Sequence, residues 1–295
     1  MMRARDRLAI AVRKSDGEIK VEVRPWFSMT THPWLKKPFV RGFPILLETM
    51  VNGIRALYWS ANEALDEEGE EGEDAGGLST WHMVLTMVAA IGFALGLFVV
   101  VPHFFSVVME QWGLGGDVNS LSFHAWDGLF KMLMFVGYIL AISFMPDIRR
   151  VFQYHGAEHK TIWTFESGAE LTPAAARGFS RLHPRCGTAF LLFVLALSIV
   201  LFTVLVPLLL LLYSPEVFIL KHLYIVGLKL ALMVPVSSLS YELIRFSGKF
   251  HTNILCRMLC WPGLALQGLT TKEPDDSQIE VAIAALQCAI AEEGA

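Results

Sequence analysis

The chain has 295 residues, 54% of them hydrophobic and 18% charged, with a formal net charge of −4. Soluble domains average roughly 45–50% apolar and about 25% charged residues, so this excess, gathered in long uninterrupted runs, excludes an ordinary soluble domain and points to a membrane protein. The charge excludes a nucleic-acid-coating protein, and four cysteines without paired spacing exclude a disulfide scaffold.

The first 25 residues hold no apolar core followed by a cleavage site, so no signal peptide is read there. Residues 8–12 and 19–23 are short β-prone runs flanking Lys14-Ser15-Asp16-Gly17, and Asp-Gly supplies the positive-φ positions of a tight turn. A β-hairpin is predicted, and it needs something to pack on, because a lone hairpin is marginal in water. Over residues 41–59, Phe43, Leu46, Leu47, Met50, Val51, Ile54, Leu57 and Tyr58 share one helical face opposite Arg41, Glu48, Asn52 and Arg55. This amphipathic helix suits a membrane surface or the end of a bundle. From Glu63 to Asp74 there are eight acidic residues and no basic one; such self-repelling sequence predicts a disordered linker over 63–80.

Residues 84–109, 130–145, 189–213 and 223–243 are each apolar enough to form a transmembrane helix. Eleven Lys/Arg precede the first span, six lie from Arg149 to Arg185, and four from Arg245 to Lys272. The connectors 110–124 and 214–222 offer only Lys221. By the positive-inside rule both termini face the cytoplasm of a multi-pass protein. The predicted class is therefore mainly α, a four-helix membrane domain over 81–248 with a cytoplasmic loop at 147–188. It is preceded by a cytoplasmic β-hairpin and amphipathic helix over 1–62. After the last span, an interfacial segment broken at Trp261-Pro262-Gly263 leads to a capped amphipathic helix over 275–292, the two making up 249–295. Lys131 at a span edge is expected to snorkel to the headgroups. Lys229, inside the fourth span, is a functional candidate that snorkelling explains equally well. His82, His103, His124 and His222 lie near span boundaries and need no special role.

The connector after the second span carries the chemistry. From Pro146, a 3.6-residue rhythm runs to Gly168, and within it stands His155-Gly-Ala-Glu158-His159. This is H-x-x-E-H, an inverted zincin pattern. Imidazoles at i and i+4 sit one helical turn apart and can share a divalent transition metal such as zinc, with Glu158 beside them as a catalytic base or as a hydrogen-bond partner that supports the ligands. The competing reading is a polar surface helix whose histidines make structural hydrogen bonds and whose Glu158 pairs with Lys160 or Arg149. Two ligands need a third, and His183, Cys186 and Glu242 are the candidates, Glu242 also having Arg245 as an ordinary ion-pair partner.

These pieces, together with Ala9-Ile-Ala-Val-Arg13, Pro38-Phe-Val-Arg-Gly42, Ser60-Ala-Asn62, Tyr154-His-Gly-Ala-Glu-His-Lys-Thr161, His183-Pro-Arg-Cys-Gly-Thr188, Ser240-Tyr-Glu-Leu-Ile-Arg245 and Thr271-Lys-Glu-Pro-Asp275, span nearly the whole chain. As a set the sequence resembles the YqhQ-like family of bacterial membrane proteins, domain of unknown function 1385. The resemblance implies a metal-dependent enzyme without naming a substrate. Members usually carry a glycine-rich segment ahead of Met-Met-Arg, whereas this chain opens at Met1-Met2-Arg3. Two functions follow as expectations: a metal-dependent hydrolase at the cytoplasmic membrane face, or a non-enzymatic scaffold whose loops dock a partner. The expected partners are the lipid bilayer and another membrane protein or a second copy of the chain, with no nucleic acid.

Overall fold

The computed structural model describes residues 1–65, 80–184, 186–249 and 254–291. Three antiparallel strands, β1 (Met2–Ala4), β2 (Arg7–Arg13) and β3 (Ile19–Pro25), lie in that order in one sheet. The helices that follow are α1 (Gly42–Leu65), α2 (Thr80–Leu95), α3 (Val101–Gln111), α4 (Leu121–Ser143), α5 (Pro146–Glu166) and α6 (Pro173–Arg177). Then come α7 (Gly187–Leu212), α8 (Phe218–Lys249), α9 (Ile254–Thr270) and α10 (Asp276–Ile290). A π-helical stretch, Gly96–Val100, joins α2 to α3.

The hairpin turns at Gly17, whose φ of +91° a side chain would resist. Strand alternation then divides β2 between two partners. Leu8, Ile10 and Val12 pack with Trp26, Ala56 and Trp59, on the α1 side. Ala9 and Ala11, with Met2 and Val21, face Ile279, Ala282, Ile283, Leu286 and Ala289 of α10. Helix α10 starts in a capping box, Asp275 accepting from the Gln278 amide and Gln278 reaching back to the Asp275 amide. The sheet is thus clamped between a helix on each face, which supplies the partner a hairpin needs.

Helix α1 packs against α8 rather than lying alone. At its start a Cβ on Gly42 would fall 2.6 Å from the Ser238 Cα, so the two backbones meet only because that residue is glycine. Further along, the buried Glu48 carboxylate accepts from the amides of Met29 and Thr30, both at 2.6 Å, and from Ser28 Oγ and Trp26 Nε1. One carboxylate therefore ties the segment after β3 to α1. Of the acidic stretch, residues 66–79 lie outside the described residues; Glu63 ends up on α1 and pairs with Lys20 at 2.7 Å.

Among the described residues, four segments are long and apolar enough to cross a membrane: Val88–Gln111, Leu121–Ser143, Phe190–Leu212 and Phe218–Phe246. Their outward faces carry exposed Leu, Val and Phe side chains such as Val88, Leu133, Val200 and Leu223. The second begins nine residues earlier than the apolar run suggests, because His124, Asp127 and Lys131 are inside the helix, His124 bonding the Val118 carbonyl and Asp127 pairing with Lys131 and with Lys229 of α8. Lys131 is not snorkelling: it is buried, 3.5 Å from Asp127 and above the Phe202 ring. Residues 254–270 also differ from expectation. They form one continuous helix, α9, with Pro262 inside it, packed on α7, α8 and α4. Losing a single N–H to proline is tolerable where tertiary packing holds the helix. Chain order puts α5, α6 and the start of α7 at the same end of the long helices as the end of α8. Helix α10 packs there too, on α5 and α6, and the sheet lies on α10.

Candidate metal centre

Helix α5 begins with Pro146 in its first turn, where a missing N–H costs nothing. It ends at a Gly168 with φ +72°, the left-handed residue that closes many helices. Its buried face carries Ala157, Lys160, Thr161 and Thr164, the i, i+3, i+4, i+7 pattern. Lys160 is buried, and its ammonium donates to the carbonyls of Arg177 and Phe179 at the C-terminal end of α6 and pairs with Glu273 at 2.6 Å. Its partner is therefore not Glu158.

His155 and His159 leave this helix side by side, ring centroids 4.4 Å apart. Each Nδ1 meets a backbone carbonyl from a distant segment: His155 that of Thr270 at 2.9 Å, His159 that of Arg181 at 2.6 Å. A carbonyl only accepts, so each Nδ1 carries the proton and the other nitrogen, Nε2, is the one turned to chemistry. His155 Nε2 stands 3.2 Å from Cys186 Sγ.

The two carbonyls are held in place by their own supports. The Lys272 amide donates to the Phe152 carbonyl at 2.8 Å, laying the segment after α9 directly on α5. Gly156 makes this possible, since a Cβ there would collide with the Lys272 carbonyl. The Arg181 guanidinium reaches the carbonyls of Gly268 and Thr271 and the Thr271 hydroxyl. Gln267, fully buried, donates to the His183 carbonyl and accepts from the His183 amide. The Cys186 amide bonds back to that His183 carbonyl, which places the thiol at the N-terminal end of α7. A helix N-terminus favours a thiolate.

Among the described residues, His155, His159 and Cys186 form one group whose ligand atoms all lie within 4.8 Å of one another. Bonds of about 2.0–2.3 Å at tetrahedral angles imply ligand separations of about 3.3–3.6 Å, and the His155–Cys186 pair is already that close. Burial pushes the Cys186 thiol up, but hydrogen bonds from His155 and His159 and their charge overcome it and bring the thiol down to about 5. Burial pushes the His155 imidazole down, yet the bond to Cys186, the charges of Cys186 and Glu158 and the bond to the Thr270 carbonyl together outweigh it, and the net shift is upward. Without a metal, a proton therefore sits between thiolate and imidazole. Two imidazole nitrogens with fixed tautomers and a thiolate are donors that zinc accepts.

The match to known proteins covers this centre. Residues 37–292 match the family described as "Protein of unknown function (DUF1385)". The chain belongs to that family. A relative, "Uncharacterized protein YqhQ" of Bacillus subtilis (strain 168), is 33% identical over 281 residues, which is 92% of this chain and 83% of the relative. No solved structure matches.

In this DUF1385 chain the sequence-derived candidates separate. His155, His159 and Cys186 come together. His183 is a neighbour that faces elsewhere, its ring against Trp163 with centroids 4.7 Å apart and its Nε2 3.5 Å from Glu166. Beside it an open groove is lined by Trp163, Glu166, Ser167, Gly178, Phe179 and Ser180. Glu242 is not in the converging group. Both of its oxygens are bound by Arg41, at 2.7 and 2.6 Å, so it joins α8 to the entry of α1. Its partner is Arg41 rather than the nearby Arg245. Glu158 accepts from the Met1 nitrogen at 2.5 Å, and its charge acts on His155. The supports at Thr270, Arg181 and Gln267 do not show in the sequence pattern. Two of them act through backbone carbonyls, which leave no trace in a side-chain pattern. Gly156 did carry a signal: a glycine inside a helix costs about 1 kcal/mol against alanine and wants a reason, here the close approach of Lys272.

Proposed function

We propose that this DUF1385 chain is a multi-pass protein of the bacterial inner membrane, with both termini cytoplasmic, that binds one divalent transition metal, zinc, through His155, His159 and Cys186. The observation that carries the metal reading is the pair of Nδ1–carbonyl bonds. They fix both imidazoles in the tautomer that offers Nε2 towards the same thiolate, an arrangement that a purely structural histidine pair does not require. The orientation rests on the basic residues, which gather on the side of α5, α6 and the sheet and leave the opposite connectors with Lys221.

Three protein ligands leave a fourth position for water or substrate, the pattern of catalytic rather than structural zinc. When bound, the metal supplies a Lewis acid for hydrolysis of a carbonyl or phosphoryl compound. This chain's own residues would do the rest. Glu158, one turn from His155, is the candidate base, and the groove between Trp163 and Phe179 offers an apolar wall and the Glu166 carboxylate to a substrate. The scaffold reading stands as the alternative and predicts no metal.

Cobalt loading of the full chain in detergent tests this. A thiolate-to-cobalt charge-transfer band in the wild type, absent in Cys186→Ser while weaker visible bands persist, supports the ligand set. No band in a folded wild type refutes it.

A further inference from the structure

The four long helices bury a second set of ionisable groups, remote from the metal centre and at the opposite end of the bundle. Asp127 and Lys131 of α4, His103 of α3 and Lys229 of α8 are each 6% exposed or less. Lys229 Nζ lies 2.8 Å from Asp127 Oδ1, and Lys131 Nζ 3.5 Å from Asp127 Oδ2. Lys229 Nζ also lies 3.3 Å from His103 Nδ1, and His103 Nε2 lies 2.7 Å from Nδ1 of the half-buried His222. Two of the boundary histidines, His103 and His222, thus meet each other, and His103 also meets the buried Lys229. Snorkelling accounts for neither lysine, because both ammonium groups turn inwards onto one carboxylate.

We infer that His222, His103, Lys229, Asp127 and Lys131 form a proton-exchange chain that connects the outer face of the membrane to the interior of the bundle. The inference rests on the reading that these helices span a membrane. Direction follows from hydrogen-bond chemistry. An ammonium only donates, so His103 Nδ1 accepts from Lys229, and the neutral ring then carries its proton on Nε2. That proton is donated to His222 Nδ1, which leaves His222 Nε2–H pointing onwards. From Lys229 to His222 every link has one donor and one acceptor, oriented the same way, and Asp127 is the counter-ion of both lysines.

Proton release is then a balanced relay. Lys229 passes a proton to His103 Nδ1 as His103 passes its Nε2 proton to His222 Nδ1, and His222 gives its Nε2 proton to water. Lys229 is left as a neutral amine, Asp127 keeps Lys131 as its counter-ion, and both rings reset when a proton returns along the same path. The group alternates between one net positive charge and none. An intramembrane charge without a partner is costly, so with two ammonium groups against one carboxylate the surplus proton is the one that moves. Among the described residues, His103 Nδ1 also lies 3.8 Å from Asp127 Oδ1, His124 of α4 bonds the Val118 carbonyl at 3.0 Å, Lys221 adjoins His222, and Glu110 and Asp117 lie towards the outer connector. Helix α7, which also packs here, carries no ionisable residue, only Phe202 against Lys131.

The test uses the full chain with 15N-lysine in lipid nanodiscs, reading proton exchange between water and the Lys229 ammonium by NMR, with Lys229→Arg to assign the signal. We expect exchange in the wild type and at least a tenfold slower rate in His222→Phe and in His103→Phe. His222 is only partly buried, so its variant should keep the wild-type fold. An equal rate in a folded His222→Phe overturns the relay, and a wild-type Lys229 that never exchanges shows a closed ion pair instead. Carbonate extraction of cell membranes separates this from the underlying reading. Protein released by carbonate refutes the spans and this site together, whereas retained protein without exchange refutes the site alone.

Discussion

His155 Nε2 stands 3.2 Å from Cys186 Sγ, although 31 residues separate them in the chain. Neither side chain is placed by its own element alone. The ring is turned by the Thr270 carbonyl beyond α9, and the thiol is set by a turn that Gln267 of α9 clasps at His183. Helix α9 is therefore the brace on which α5 and the entry to α7 are brought together. Disturbing that brace should disturb the centre without touching a ligand.

Gly156→Ala is the sharpest such disturbance. Its Cβ would collide with the Lys272 carbonyl, a rigid backbone atom that cannot rotate away. Overpacking of this kind costs about 1–3 kcal/mol, against which alanine returns about 1 kcal/mol of helix propensity. The Thr270 carbonyl, two residues from Lys272, moves with it, so metal affinity should fall about 10–100-fold, as when an outer hydrogen bond to a ligating histidine is lost. Thermal unfolding and a competitive chelator titration of the same variant measure the two effects. Unchanged affinity would show that the Thr270 bond does not aim His155.

Cys186 should react as a thiolate at unusually low pH in metal-free protein. Its folded-state value is about 5 against an ordinary 9.0. The sign follows directly: a depressed value makes the thiolate's contribution to stability complete above pH 9, and it is lost as pH falls through about 5. Alkylation at Cys186, followed by peptide-resolved mass spectrometry, should therefore stay fast from pH 8 down to about 6 and slow only near 5. Cys288, half-buried on α10, serves as the internal comparison. A Cys186 that slows tenfold per unit below pH 8 would mean the imidazoles do not stabilise the thiolate. Added zinc should protect Cys186 and leave Cys288 unchanged.

The Arg41–Glu242 fork predicts a purely structural effect. Both side chains are largely buried, and the bond is bidentate. Glu242→Gln should lower the unfolding free energy by about 1.5–3 kcal/mol, the usual worth of hydrogen bonds to a charged group. Metal content should not change. Loss of metal with retained stability would instead return Glu242 to the ligand set.

Much of this architecture is legible in single residues, and the remainder fails for physical reasons. Asp16-Gly17 and the alternation from Ile19 mark the hairpin, and Pro146 and Gly168 bracket α5. Strand β1 is only three residues long, too short for any period to show. The start of α4 is hidden because His124, Asp127 and Lys131 look like the end of a span until the partners of Asp127 on α3 and α8 are known. Pro262 reads as a break because a local rule cannot see the helices packed around α9. At the centre, the spacing of His155 and His159 is a local signal, whereas the choice among Cys186, His183 and Glu242 is tertiary. Cys186 and His183 differ by three residues, and only the turn between them decides that one faces the imidazoles and the other Trp163.

The central claim is most directly tested by elemental analysis of the full chain purified in mild detergent without chelators, beside His155→Ala and Cys186→Ser. The account predicts about one equivalent of a divalent transition metal per wild-type chain and a near-complete loss in both variants, with helical content unchanged. A wild-type protein that is folded and carries no metal, and takes up none when zinc is added, would contradict it.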